Sequence, residues 1–198
     1  MNNILKIISI LLLTMAMGCK KKDPRPEIFD LTKYSIVGKL NTGYPYLITI
    51  AGDKAVFTHY SATNGKYSFV DGVLRLNFNE EVICSFVIEN GAIKSYTGPA
   101  IINTYDLVKI PATNQLDGKT FKGSWNNAVY VTRLKFTGGQ YVEITNNQQT
   151  TTNYTLINNL AVKKEEAGNL TLFILMNGKL EAGRYKYPNI FWGSFISD

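Results

Sequence analysis

Apolar residues in this chain recur mostly at every second position. Leu74, Leu76 and Phe78 alternate with Arg75 and Asn77, the period of an antiparallel strand with one face buried. Short runs of this kind are divided by clusters of Gly, Asn and Asp: "AGDK", "VDGV" and "ENGA" in the first half, "TGGQ", "INNL" and "MNGK" in the second. Gly and Asn reach positive φ at little cost, which two-residue hairpin turns require. The run "LTLFILM" at 170–176 is apolar at both parities, so that strand is expected to be covered on both faces, by its own half and by the other.

The punctuation repeats because the chain repeats. Asn90-Gly91 and Asn177-Gly178 stand 87 residues apart. The same offset sets Tyr67 on Tyr154, Phe86 on Phe173 and "YSFVDGVLRL" on "YTLINNLAVK". Upstream the offset becomes 86, matching Gly52 to Gly138 and Val56 to Val142. Further back it becomes 85, matching Leu31 to Leu116, Gly38 to Gly123, Leu40 to Trp125 and Asn41 to Asn126. A drift of one residue at a time, falling in turns, marks an internal duplication. Residues 28–110 form the first β repeat and 113–198 the second. About eight strands are expected in each, in the second near "TFKGSW", "YVTRLKF", "QYVEIT", "NYTLI", "LAVKKE", "LTLFILM", "KLEAGRY" and "IFWGSFI". The fold class is all-β: two tandem antiparallel up-and-down β-meanders, each able to close into a small barrel and remove its exposed edges. The alternative is two packed sheets, one per repeat.

Composition agrees. Of 198 residues, 45% are apolar and 18% charged, a globular balance. The net charge of +6 raises the question of nucleic acid. Four of the basic residues, Lys20, Lys21, Lys22 and Arg25, lie in the stretch 19–27, and the rest are scattered. No basic stripe interleaves with aromatics as single-strand binders require, so no nucleic-acid partner is expected.

The first residues read differently. "MNNILKIISILLLTMAMGC" has Lys6, an apolar stretch too short to cross a bilayer, and small residues before Cys19, the pattern of an export signal. Its end, "AMGC", resembles the lipobox of bacterial lipoproteins, with Gly18 at the position before the cysteine and Ala16 and Met17 departing from the usual residues. The resemblance implies a signal peptide over 1–18, lipid on Cys19 and a membrane held through that anchor. A plain secretory signal with an incidental cysteine is the alternative. Residues 19–27 follow as a tether broken by Pro24 and Pro26. Lys20 stands where Asp would favour inner-membrane retention, so the resemblance implies the outer membrane of a Gram-negative envelope. With Cys19 lipidated, Cys84 has no disulfide partner, and its place in "EEVICSFVIEN" reads as a small buried hydrophobe.

The second repeat, with "LDGKTFKGSW", "LKFTGGQYV" and an aromatic last strand, resembles the small lipocalin-like domains of bacterial lipoproteins. Gly123 and Trp125 carry the match as a Gly-x-Trp strand; the first repeat has Leu40 in place of the Trp. The resemblance implies a fold and no particular ligand.

No motif for chemistry stands out. There is no phosphate-cradling Gly-rich loop before a helix, no HExxH, no CxxC and no Gly-x-Ser-x-Gly. The one histidine, His59, lies in a strand run and reads as structural. Glu80-Glu81 and Glu165-Glu166 read as solvated, edge-protecting charges near equivalent turns. No catalytic residue, metal site or cofactor is expected. The densest candidate stretch is "GRYKYPNIFWGSF". Arg184, Tyr185, Tyr187, Phe191 and Trp192, with Trp125 and Tyr130, are read as an aromatic barrel end suited to a glycan or a small apolar molecule, with Lys186 and Asn189 as polar help. The bland alternative for this stretch is a core-closing last strand. Three functions are weighed in this order: a non-enzymatic, envelope-anchored ligand binder, a protein-interaction or inhibitor module with an envelope protein partner, and an enzyme.

Overall fold

A computed structural model describes residues 29–79 and 82–198. Cys19, the signal-like segment, the tether and Glu80-Glu81 lie outside the described residues.

After a short turn at Leu31–Lys33, the first repeat forms β1 (Tyr34–Leu40), β2 (Pro45–Ala51), β3 (Lys54–Thr58), β4 (Ala62–Val70), β5 (Val73–Asn77), β6 (Ile83–Glu89), β7 (Ala92–Thr97) and β8 (Ile102–Lys109). The second forms β9 (Thr120–Trp125), β10 (Thr132–Thr137), β11 (Gln140–Thr145), β12 (Gln148–Asn153), β13 (Thr155–Asn158), β14 (Ala161–Glu166), β15 (Asn169–Met176), β16 (Lys179–Lys186) and β17 (Asn189–Ser197). Each repeat is one antiparallel meander curled back on itself, with the last strand paired to the first: β8 to β1 and β17 to β9. The chain is therefore all-β, with two nearly closed barrel-like sheets in tandem. The repeated Asn-Gly turns match in conformation, with φ of 52° and 73° at Asn90-Gly91 and 51° and 75° at Asn177-Gly178.

The two barrels are left open at different seams. In the first, β7 and β8 lie side by side but are not paired, and the segment between them carries Pro99, which cannot donate to a ladder. In the second, the corresponding pair, β16 and β17, is zipped from Leu180↔Phe195 to Lys186↔Asn189. The seam falls instead between β12 and β13, which divide at Tyr154 what is a single strand, β4, in the first repeat. This makes nine strands rather than the expected eight. β12 reads "QQTTTN", which has no apolar residue to register as a strand. It forms because the turn from β11 returns it along the full Gln140–Thr145 ladder.

Side chains fill most of both interiors. In the first barrel Tyr46, Phe57, Leu74, Leu76 and Phe86 are fully buried. In the second Phe121, Phe136, Phe173 and Phe195 pack together. The connector closes one end of the second barrel: Leu116 is fully buried, and Gly118 N–H donates to the Phe136 carbonyl at 2.9 Å.

The barrels pack wall to wall. Leu170, Leu172, Ile174 and Met176, on alternate positions of β15, join the core of the first repeat, while Phe173 between them belongs to the second. The doubly apolar run thus has both faces covered, as its sequence implies. The facing wall is β1 and β2, with Val37 opposite Leu47. Polar bonds edge this contact. Lys39 Nζ pairs with Glu181 at 2.8 Å, Asn158 Nδ2 donates to Ser35 Oγ at 3.0 Å, and Tyr44 O–H donates to the Leu170 carbonyl at 3.2 Å.

Candidate functional site

Alternation along β16 splits the aromatic stretch between two environments. Leu180 and Ala182 face the second barrel's interior, so Arg184 and Lys186 follow on that side. Glu181, Gly183 and Tyr185 face the first repeat, where Tyr185 meets the Tyr60 ring at 5.2 Å. On β17, Trp192 pairs with Gly183 and covers Gly43, where a Cβ would stand 2.9 Å from the indole. The single aromatic platform expected from the sequence is therefore corrected. Tyr185 and Trp192 are built into the contact between barrels, because strand alternation sends neighbouring residues to opposite faces.

The remaining candidates gather at one end of the second barrel. Trp125 closes β9, and its ring lies 5.4 Å from Phe195 and 6.5 Å from Phe173. Its Nε1–H donates to Glu143 Oε1 at 2.9 Å. Arg184 Nη2 donates to the other oxygen, Oε2, at 2.6 Å, and the guanidinium lies over the indole, 4.5 Å from the ring centroid. One carboxylate thus bridges an indole and the cation stacked on it, an arrangement that orients all three groups. Phe191, half-buried, is the cross-strand neighbour of Arg184.

Above this floor the barrel opens into a chamber of about 420 Å³, within the range of small-ligand pockets. Inward positions of five strands line it, and Tyr185, from the outward face of β16, reaches its edge. The inward positions include Tyr141 and Glu143, Thr150 and Thr152, Lys164 and Glu166, Asn169 and Thr171, and Arg184 and Lys186. Lys164 and Glu166 pair at 2.7 Å. That hydrogen bond holds the lysine above its ordinary range and the glutamate below its own. Two loops stand at the same end. The one after β9 is tied to β17 by Asn126, whose N–H donates to the Trp192 carbonyl and whose Oδ1 accepts from Trp192 N–H, each at 2.7 Å. It exposes Val129 by 94% and Tyr130 by 61%, and the β16–β17 turn exposes Tyr187 by 79%.

Of the sequence candidates, Arg184 and Tyr185 line the chamber, Trp125 lies beneath Arg184, and Tyr130 and Tyr187 stand at the open end. Glu143, Lys164 and the threonines escaped notice. A polar residue alternating in a strand reads as outward-facing, and only closure of the barrel turns one polar set into a lining. Glu166, read as an edge charge, is largely solvated but lies on the lumen side.

The first repeat shows what the duplicated positions do without this chemistry. By the repeat offsets, Trp125, Glu143 and Arg184 correspond to Leu40, Phe57 and Thr97. There Phe57 packs on Tyr46, His59 and Phe78, and the Phe78 ring abuts Gly65. Where the second barrel holds a polar chamber, the first holds aromatic rings. Burial also lowers the basicity of His59 and pushes the Cys84 thiol up to about 11, so neither is primed for chemistry. Among the described residues no cluster of three His, Cys, Asp or Glu groups is placed to hold a metal ion.

No family model matches this chain, and neither a curated protein nor a solved structure matches it.

Proposed function

We propose that this protein is a non-enzymatic, lipid-anchored envelope protein that binds a small polar ligand in the open end of its second barrel. The observation that carries the reading is the contrast between the copies: aromatic rings fill the first lumen, while the second keeps a polar chamber over the Trp125–Arg184–Glu143 floor. A duplicated barrel gains no stability from leaving such a volume lined with charge, since polar groups are costly to hold in a lumen without partners. The lining favours a glycan over the apolar ligand also expected from the sequence.

The anchor suits this role. A lipid on Cys19 would reach the body at Phe29, which packs on Tyr34 and Phe69. That end of β1 lies beside the closed end of the second barrel, through Ser35 and Asn158. Tyr44, past the far end of β1, reaches Leu170 near the mouth. The chamber would then open on the side away from the membrane. The test is native mass spectrometry of the full chain after incubation with glycan and lipid extracts of the source envelope. A retained small molecule that Arg184→Ala abolishes supports the reading; no adduct across the extracts overturns it.

A second reading rests on the exposed Val129-Tyr130-Val131 segment and Tyr187, which supply an apolar surface for an envelope protein partner. Crosslinking from position 130 in intact cells tests it, and absence of any protein adduct removes it.

A further inference from the structure

The geometry points to an acidic saccharide, a hydroxyl-rich sugar carrying a carboxylate, as the ligand of the second-barrel chamber; this rests on the reading that the chamber is a binding site.

Glu143 uses one oxygen for Trp125 and the other for Arg184. Glu166 is held by Lys164. Both acids of the lining are therefore neutralised within the wall. The lining bases number one more: Lys164, Arg184 and Lys186. Among the described residues, no carboxylate lies within ion-pairing distance of Lys186. Arg184 gives one terminal nitrogen to Glu143, and a guanidinium has further N–H donors to offer. The unspent charge in the chamber is thus positive and sits on β16, at the wall nearest the mouth.

The neutral groups narrow the class. Thr150, Thr152 and Thr171 present hydroxyls, Tyr141 a phenol and Asn169 an amide. Such groups both donate and accept, which matches sugar hydroxyls and gives little to a bare alkyl chain. The indole face that could stack a neutral ring is covered by the Arg184 guanidinium, so recognition passes through charge and hydroxyls. A carboxylate placed between Lys186 and the free edge of Arg184 would gain charge-assisted bonds, while its ring hydroxyls would meet the threonine side of the chamber.

The chain supplies its own reporter. Of its two tryptophans, Trp125 lies directly beneath the chamber, bonded to Glu143 and covered by Arg184, and Trp192 lies in the contact between barrels. Their indole N–H signals, assigned with Trp192→Phe, separate chamber binding from surface binding. The full chain, in mild detergent, is titrated with a glucuronic acid-containing disaccharide, with its neutral glucose-containing counterpart and with acetate. The expected result is a saturable shift of the Trp125 signal with the acidic disaccharide, no shift of Trp192, and binding about tenfold or more weaker for each of the other two, the size of one lost charge-assisted bond. Lys186→Gln, at an exposed strand end, removes the preference for acid, and Lys186→Arg restores it.

Equal binding of the neutral disaccharide overturns the acidic assignment and leaves the chamber a ligand site. Equal binding of acetate overturns the saccharide assignment. A Lys186→Gln protein that keeps the full preference overturns the proposed recognition. If none of the probes moves the Trp125 signal, the inference falls, and the envelope-extract experiment decides separately whether the chamber binds anything else.

Discussion

The ring of Tyr44 stands where a side chain at position 183 would have to be. A Cβ on Gly183 would lie 2.5 Å from Tyr44 Cζ and 2.8 Å from Pro45 Cδ. Gly43, one residue before that tyrosine, has φ of +86° and lies under Trp192. The repeats are therefore joined reciprocally, with an aromatic of each seated on a glycine of the other. Gly183→Ala is expected to destabilise the protein by about 1–3 kcal/mol, the usual cost of overpacking a close contact. Urea unfolding would show it as a lower midpoint, and an unchanged midpoint would mean that the contact yields easily.

Trp192 and Tyr187 differ although five residues apart. Trp192→Ala removes packing between the barrels and is expected to cost about 2–3 kcal/mol, below the full-core value because the indole is only half-buried. Tyr187→Ala and Tyr130→Ala, at exposed positions, are expected to stay within about 0.5 kcal/mol of the parent. Thermal unfolding of the three variants separates these roles. If Trp192→Ala were as stable as Tyr187→Ala, the indole would not be holding the repeats together.

Glu143→Gln keeps a side-chain acceptor for the Trp125 indole but removes the charge facing Arg184. A loss of about 1–3 kcal/mol is expected, the range for hydrogen bonds to charged groups. It should change little between low and moderate salt, because a half-buried pair is weakly screened. Trp125 emission should also change as the stacked guanidinium is released. Unaltered fluorescence and stability together would show that the three groups do not act as a unit.

His59 contributes a pH dependence of definite sign. Its Nδ1 is buried without a partner, its ring lies against Phe57 and Tyr60, and burial holds its pKa below the ordinary 6.5. The unfolded chain therefore takes up the proton first. Stability from this group is present above about pH 6.5 and is lost as pH falls towards the folded-state value. Urea midpoints at pH 7.5 and 5.5 should fall for the parent and fall less for His59→Gln. Equal decrements in both proteins would place the pH dependence elsewhere.

Cys84 is buried, and burial raises its thiol to about 11, so almost no thiolate is present at neutral pH. Disulfide-exchange reagents should label it only at the rate of unfolding, and quickly in concentrated urea. Fast labelling of the native protein would contradict its burial in the first barrel.

Much of the fold was legible because it rests on local rules. The Asn-Gly turns require positive φ whatever surrounds them. Alternation such as Leu74, Leu76 and Phe78 marks a half-buried strand, and 170–176 announced two covered faces. The strand "QQTTTN" was not legible, since nothing in its own residues separates a polar strand from a loop; its pairing with β11 makes it one.

The docking of the repeats was equally hidden. β1 and β2 of the first meet β15 and β16 of the second, so the two copies use different walls. The second repeat's counterparts of β1 and β2 carry Lys122, Arg133 and Lys135 outward, all exposed. The apolar wall that β1 and β2 present is therefore not repeated in the second copy.

By itself, then, the sequence determined the duplication, the all-β class and the hairpin turns, because these depend on neighbours along the chain. It also pointed to Trp125, Arg184, Tyr130 and Tyr187 as residues of one barrel end. Tertiary structure alone decided that Tyr185 and Trp192 belong to the contact between barrels, that Glu143 joins Trp125, 18 residues before it, to Arg184, 41 residues after it, and that Thr150, Lys164 and Thr171 line a chamber. The physical reason is that a period of two says which residues share a face of a strand, while only closure of the sheet, and what packs against it, says whether that face meets solvent, a lumen or another barrel.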